Sequence, residues 1–323
     1  MKNEALHRSI RDRLHNANSV VITSHIRPDG DAVGSVVGLG LSLSLAGKQV
    51  QMVLADRVSA QLRFIPGAEL VTTHAEQTFD LSIVVDCSDL ERTGAVLGEQ
   101  KPDLNIDHHI TNLNFANLNL VDISSVSTTA LIARHLRADW DLPMDEKVAT
   151  ALLSGIVTDT IGFRTSNMTS EALRIAANLM DEGAELSDIY QRAITYRSYE
   201  AVRFWGKGIA RMQRKGRLVW TALTNEDRRS AAYQGKDDAD LINIISSIED
   251  NDVSIIFTEK DENKVKVSWR AQPGIDVSQI ALAFGGGGHP AASGAEITGS
   301  LEEVQEKVLD ATKAILNGKN KEG

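Results

Sequence analysis

The stretch VVITSHIRPDGDAVGSVVGLGLSLSLAG, residues 20–47, decides the fold class. Val20 to Thr23 is a short β-branched run of the kind that forms a buried strand. It ends at Ser24-His25. From Gly30 the chain turns into a helix of small residues, and Gly47 stands where a helix C-cap falls. Working outward, residues 49–54, 81–85 and 104–106 read as further strands, and 145–158 and 169–183 as helices. Upstream, Leu6, Ile10 and Leu14 recur every four residues, the mark of a short amphipathic helix. Strands alternating with helices imply a parallel, doubly wound sheet covered on both faces. Ligands of such sheets gather at the carboxyl ends of the strands. His25, Asp86 and Asp107 all stand at such ends.

The pattern changes near residue 198. Residues 197–212 read as a connecting helix. After it, 216–223, 253–257 and 264–269 read as strands, and 275–284 and 301–316 as helices. The expected organisation is a catalytic domain over 1–197, a connecting helix over 198–212 and a smaller α/β domain over 213–323. A chain of 323 residues is long enough for each part to bury its own core. The formal net charge of −10 argues against a protein that coats long duplex DNA, which needs a broad basic surface. It does not exclude small phosphorylated substrates, because bound metal ions supply local positive charge. Cys87 is the one cysteine, so no intrachain disulfide can form, as fits a reducing cytoplasm. The N-terminus carries no apolar signal core, and the least polar stretch, 32–47, is too short and too interrupted to span a bilayer. A cytoplasmic chain without membrane insertion is expected.

Four polar clusters interrupt this apolar framework. His25-Ile-Arg-Pro-Asp29-Gly-Asp31 puts a histidine and two aspartates on one strand-to-helix loop, where Pro28 and Gly30 allow a tight turn. Asp86 closes the apolar run 84–85. Asp107-His108-His109 follows the strand at 104–106, and two adjacent histidines there each need a partner. Asp159 stands where an apolar helix ends, a place at which the helix dipole disfavours an anion unless a cation offsets it. Imidazole and carboxylate without thiolate suit borderline-hard divalent ions. Two histidines and four aspartates suffice for a binuclear site, whose ions lie roughly 3.5–4 Å apart and together brace a phosphoryl group.

Together, HIRPDGD, VVDCSD, NIDHH and GIVTDT resemble the four ordered motifs of the DHH phosphoesterase superfamily. The later GGGGHPAASG resembles the glycine-rich signature of the DHHA1 domain that accompanies it. The likeness spans nearly the whole chain and is greatest to the nanoRNase and pAp-phosphatase branch. It implies that His25 and Asp29 bind one metal, that Asp31, His108 and Asp159 bind a second, and that Asp86 bridges them. It also implies that Asp107 orients the His108 ring, that His109 contacts the scissile phosphate, and that a hydroxide activated by the two ions is the nucleophile. The implied ions are Mn²⁺ foremost, with Co²⁺, Mg²⁺ or Zn²⁺ compatible. A homodimer is compatible with the resemblance. One departure stands out: no Glu follows Ser127-Thr128-Thr129-Ala130-Leu131, so no role is assigned to that segment.

In the second domain, Gly285 to Gly288 and His289 read as an ordered turn. Gly286, Gly287 and Gly288 let backbone N–H groups approach a phosphate, and His289 adds a donor. The resemblance implies that Arg270 grips a substrate phosphate, for which a planar guanidinium is suited. Trp269 reads as core, and the basic run Arg211, Arg214, Lys215 and Arg217 as a solvated turn. The active site is expected in the cleft between the domains. The expected activity is hydrolysis of short oligoribonucleotides (nanoRNA) and of pAp. The alternatives are a phosphodiesterase of cyclic di-AMP or its linear product, and a non-catalytic nucleotide sensor on the same fold.

Overall fold

Val20, Val21 and Ile22 have no exposed surface in the computed structural model, and the strand they form lies inside a five-stranded sheet. The structure describes residues 2–75, 79–98, 100–260 and 263–319. The chain divides into two units, 1–196 and 197–323.

The first unit begins with α1 (Lys2–Asn16), β1 (Ser19–Thr23), α2 (Gly30–Leu45) and β2 (Gln49–Met52). It continues through β3 (Leu81–Val85), β4 (Leu104–Asp107) and β5 (Leu118–Val121). The strand order is β2-β1-β3-β4-β5, and every pairing is parallel. The chain leaves β1 for β2 on one side and reaches β3 on the other, so the crevice between β1 and β3 is the topological switch point where such sheets place ligands. Both strands run out there, at Thr23 and Val85.

Successive side chains alternate between the faces of the sheet. Val20, Ile22, Ile83 and Val85 join the main core, while Val21 and Val84 join a smaller cluster with Val53, Cys87 and Leu97. The main core is roofed by helices that follow β5: α3 (Thr128–His135), α4 (Glu146–Asp159), α5 (Ser170–Asp181) and α6 (Leu186–Tyr190). α2 packs along α4. The parallel sheet is as the β-branched runs predict. Its smaller cluster is closed by loop residues such as Phe79 and Phe115 rather than by crossover helices.

The second unit runs α7 (Tyr199–Ala210), β6 (Gln213–Lys215), β7 (Leu218–Leu223), α8 (Asn225–Ala231), α9 (Leu241–Ile245) and β8 (Val253–Lys260). Then come β9 (Lys264–Ala271), α10 (Ser278–Ala283), β10 (Gly287–His289), β11 (Ala292–Thr298) and α11 (Leu301–Lys319). Its strand order is β10-β11-β9-β8-β7-β6, with β7 and β8 parallel and the other pairs antiparallel. Alternate residues of β8 serve two cores. Ile255 and Phe257 pack with Trp269, Val304 and Val308, while Ile256 packs with Phe204, Leu223 and Leu241. The helix read as a connector, α7, lies within this unit, with Ala201 and Phe204 buried in the second of those cores. Among the described residues, no helix is long and apolar enough to cross a membrane.

Candidate active site

Local chain geometry aims the polar clusters of the first unit at one another. Asp29 is the N-cap of α2, its carboxylate accepting the backbone N–H groups of Asp31 and Ala32. That cap fixes the turn after β1 and sets Asp31 in the first helical turn, where the dipole favours an anion. Asp86 follows β3 with a φ of +50°, the left-handed region that a short polar side chain tolerates better than a branched one. Asp159 is the last residue of α4. His108 and His109 follow β4.

Two sets of ligand-type atoms result. His25, Asp29 and Asp86 form one, and Asp31, His108 and Asp159 the other, with the atoms of each set within 4.8 Å of one another. Asp86 faces both. Its Oδ2 lies 3.6 Å from His25 Nε2, and its Oδ1 lies 3.8 Å from His108 Nε2. His108 Nε2 is also 3.9 Å from carboxylate oxygens of Asp31 and Asp159. Each histidine has its other nitrogen on a backbone carbonyl: His25 Nδ1 donates to Ile26 at 2.8 Å, and His108 Nδ1 to Ser125 at 3.4 Å. Such contacts fix the tautomer and leave Nε2 as the ligand atom.

Four carboxylates share this space, Asp31 and Asp86 buried, Asp159 partly buried and Asp29 exposed, and their acidities diverge. The protein crowded around its carboxylate, and then the charge of Asp86, raises Asp29 above its ordinary value, although the side chain is 61% exposed. Burial raises Asp31 well above it, and the charges of Asp86 and Asp159 add to the effect. Asp159 is pushed up to about 7 by burial and by the charges of Asp86 and Asp29. Burial acts the same way on Asp86, but the His25 hydrogen bond and the fields of His108 and His109 outweigh it and hold Asp86 at about 2. This crowding of anions is unfavourable on its own and fits a centre completed by cations, as does the thiolate-free donor set. Cys87 plays no part. Burial lifts its thiol to about 11, and its Sγ–H donates to the Asp89 carbonyl.

The structure corrects the expected role of Asp107. Its carboxylate does not reach the His108 ring. It accepts the His109 Nδ1 proton at 2.7 Å and the His108 backbone N–H at 2.9 Å. Burial alone would lower the His109 pKa, but the hydrogen bond to Asp107 and the charge of Asp86 raise it to about 9. Asn112 donates to the other Asp107 oxygen at 2.6 Å.

The segment to which the sequence reading gave no role holds the site together. At the start of α3, the N–H groups of Thr128 and Thr129 donate to Asp31 at 2.7 and 2.9 Å, and the Thr129 hydroxyl donates to it at 2.5 Å. The Thr128 hydroxyl donates to Asp86 at 2.9 Å. The signal was the Ser127-Thr128-Thr129 run itself, a helix N-terminus with two further hydroxyls, and Ser127 is the cap.

In the second unit, the glycine-rich segment is a strand hairpin rather than a turn. Gly287, Gly288 and His289 pair antiparallel with Gly294, Ser293 and Ala292. A side chain at Gly286 would sit 2.1 Å from the Gly294 carbonyl oxygen, and one at Gly288 would sit 2.5 Å from that of Ala292. Close strand pairing therefore demands both glycines. Gly287 meets nothing within 4 Å and keeps open space at its Cβ position. Ala292 pairs with Arg270 on its other side, so Arg270 and His289 share one row across β9, β11 and β10. The His289 side chain lies outside the described residues. Arg270 is half-buried and donates to the Trp269 carbonyl, and Trp269 is core, as expected. Within the basic run, Arg211 binds Asp227, Arg214 binds the Asp250 carbonyl, and Arg217 binds Asp252.

Comparison with known proteins agrees with this architecture. Residues 19–156 match the DHH family, N-terminal domain, and residues 220–318 match the DHHA1 domain. The chain is 35% identical over 300 residues to the bifunctional oligoribonuclease and PAP phosphatase NrnA of Thermus thermophilus, covering 91% of this chain and 89% of that one. It is 28% identical to the protein of the same name from Mycoplasma genitalium, covering 93% and 94% of the two chains. The fold superposes on an exopolyphosphatase-related protein from Bacteroides fragilis with a TM-score of 0.89 at 26% identity, covering 97% and 98% of the two chains.

Proposed function

The chain belongs to the DHH family, a family of metal-dependent phosphoesterases, and from that premise we propose that it uses two divalent ions to degrade short oligoribonucleotides and to dephosphorylate pAp. The observation that carries the two-ion reading is the Asp86 carboxylate, which turns one oxygen toward His25 and the other toward His108. His25, Asp29 and Asp86 would hold one ion; Asp31, His108, Asp159 and Asp86 the other. The ions, when bound, lower the pKa of water and polarise the phosphoryl group. Mn²⁺ is our assignment for both positions, since the set is hard except for its two imidazoles.

The chain's own residues do the rest. Thr128 and Thr129 fix Asp31 and Asp86, so the carboxylates need not reorganise when charge develops. Asp107 stabilises the protonated His109 ring, whose Nε2–H points away from Asp107 and suits a phosphoryl oxygen. Arg270, the backbone of Gly286, Gly287 and Gly288, and His289 are our candidates for binding the remainder of the substrate. The lone, buried Cys87 is why we assign this chemistry to a reducing, cytoplasmic setting.

The substrate class rests on the two relatives named above. Initial rates with Mn²⁺ on a 5′-phosphorylated RNA dinucleotide, on pAp and on cyclic di-AMP test it. Fast release of mononucleotides and of phosphate from the first two, with slow ring opening, is the expected result. Ring opening at a comparable or faster rate would overturn the substrate assignment, and no turnover of any of the three would overturn the enzymatic one.

A further inference from the structure

Away from the Asp86 cluster, the first unit contains a second group of ligand-type side chains. His7 lies on α1, His135 is the last residue of α3, and Asp139 follows one turn later. One ligand atom from each falls within 4.8 Å of the others. The inner face of α1 is His7, Ile10 and Leu14, of which Ile10 and Leu14 have no exposed surface. His7 thus occupies a place on an apolar stripe where a leucine would pack at no polar cost. It is only 8% exposed, and its Nδ1 is sealed from solvent without a hydrogen-bond partner. A buried polar atom left unpaired bears its full desolvation penalty, so it calls for an explanation.

The surroundings supply one. The His7 ring stacks on the His135 ring with centroids 4.1 Å apart. His135 Nδ1 donates to Asp139 Oδ2 at 2.6 Å, so one proton holds together two ligand-type groups that a cation, displacing it, would bridge. Trp140 closes the cluster from one side and is fully buried, while Asp139 is 40% exposed and opens it to solvent on the other.

We propose that His7, His135 and Asp139 form a further divalent-cation site, separate from the Asp86 cluster, that ties α1 to the end of α3. Two imidazoles and one carboxylate select Zn²⁺ or a similar borderline ion over Mg²⁺ or Ca²⁺. Tetrahedral coordination at zinc-to-nitrogen distances near 2.1 Å brings ligand atoms to roughly 3.3 Å from one another. On binding, the 2.6 Å contact between His135 and Asp139 would therefore open and the His7 nitrogen would draw inward, each by on the order of 1 Å, which the exposed Asp139 side chain can accommodate. A fourth position is left for water.

The test uses the full chain, stripped with a chelator, dialysed and titrated with Zn²⁺ alone, with bound metal counted by elemental analysis. The expected result is one ion more in the wild type than in His7→Gln or His135→Gln, each with an unchanged circular dichroism spectrum. Asp139→Asn, at a more exposed position, is expected to keep the fold and weaken that one ion by about 10-fold or more. Hydrolysis in Mn²⁺ should stay within twofold of wild type in all three variants. The same ion count and affinity in the wild type and the Asp139→Asn and His135→Gln variants would overturn the proposal and leave a packing cluster. Loss of ions from an Asp86→Asn chain reports on the Asp86 cluster alone, so the two sites fail or stand separately.

Discussion

At the residue scale, the acidities of the cluster make opposite demands on stability and on chemistry. Asp159 has an ordinary value of 3.8 that burial and its neighbours raise to about 7 in the folded chain. A carboxyl whose folded pKa is raised binds protons more tightly in the native state, so it costs stability as pH climbs from about 4 to about 7. Asp159→Asn removes that cost. In the presence of a chelator, the variant is expected to melt higher than wild type at pH 8, on the order of 2–4 °C, with the difference gone by pH 4. Differential scanning calorimetry at the two pH values checks this, and equal shifts at both would sink it. In Mn²⁺ the order should reverse, because the variant lacks one of the proposed ligands. Asp107→Asn probes a different property. It keeps every proposed ligand but removes the anion that holds His109. Turnover is expected to fall by about 10–100-fold with the number of bound ions unchanged. The alkaline limb of the rate profile should move to lower pH as His109 loses its partner.

The six proposed ligands were legible because each stands at a strand or helix end beside an apolar run. What was not legible is how they are held. Asp107 precedes two adjacent histidines, and which ring its carboxylate meets depends on side-chain rotation that no spacing records. His7 stayed hidden for a related reason: the apolar repeat marked Leu6, Ile10 and Leu14, yet the buried stripe of α1 runs through His7 instead of the half-buried Leu6.

At the scale of elements, the site is a meeting of helix ends over a strand-end crevice. The N-termini of α2 and α3 both present backbone N–H groups to carboxylates, of Asp29 and Asp31, while the C-terminus of α4 brings Asp159. α3 is eight residues long and β5 four, too short for hydrophobic periodicity to reveal either. The β10–β11 hairpin escaped notice because glycines carry no side-chain pattern. Helix packing around the site leaves little room. A Cβ at Gly155 of α4 would lie 2.3 Å from Thr129 Cγ2 and 3.0 Å from Asp31 Oδ1. Gly155→Ala is therefore expected to push α3 off Asp31, destabilising the chain by about 1–3 kcal/mol and weakening metal binding. Chemical denaturation and Mn²⁺ titration of the variant measure the two effects. A stable variant with wild-type metal affinity would show that α3 does not govern the site.

At the scale of the whole molecule, the chain holds two units with separate cores, and the chemistry of their polar groups differs. Every residue of the Asp86 cluster lies in the first unit. The second is clamped by an ion pair instead. Asp227 is buried where α8 begins and accepts Arg211 Nη2 at 2.9 Å as well as the Thr224 hydroxyl. Burial would raise its pKa, but Arg211 and the N–H and hydroxyl of Thr224 outweigh burial and hold it below the ordinary value of 3.8. A depressed carboxyl contributes stability above its unfolded pKa and loses it as pH falls toward the folded one. Two levers should then act on different parts of one chain. Mn²⁺ at 100 times its dissociation constant stabilises the state that binds it by about 2.7 kcal/mol, and this is expected to raise the melting of the first unit. Acid below about pH 4 is expected to lower the melting of the second through Asp227. Asp227→Asn should reproduce that loss at pH 7 and leave the Mn²⁺ shift intact, as followed by calorimetry with hydrogen exchange of β1 reporting on the first unit and of β8 on the second. A single transition that moved as one with either Mn²⁺ or acid would mean that the two cores unfold together, and that binding at Asp86 stabilises the Arg270 row as well.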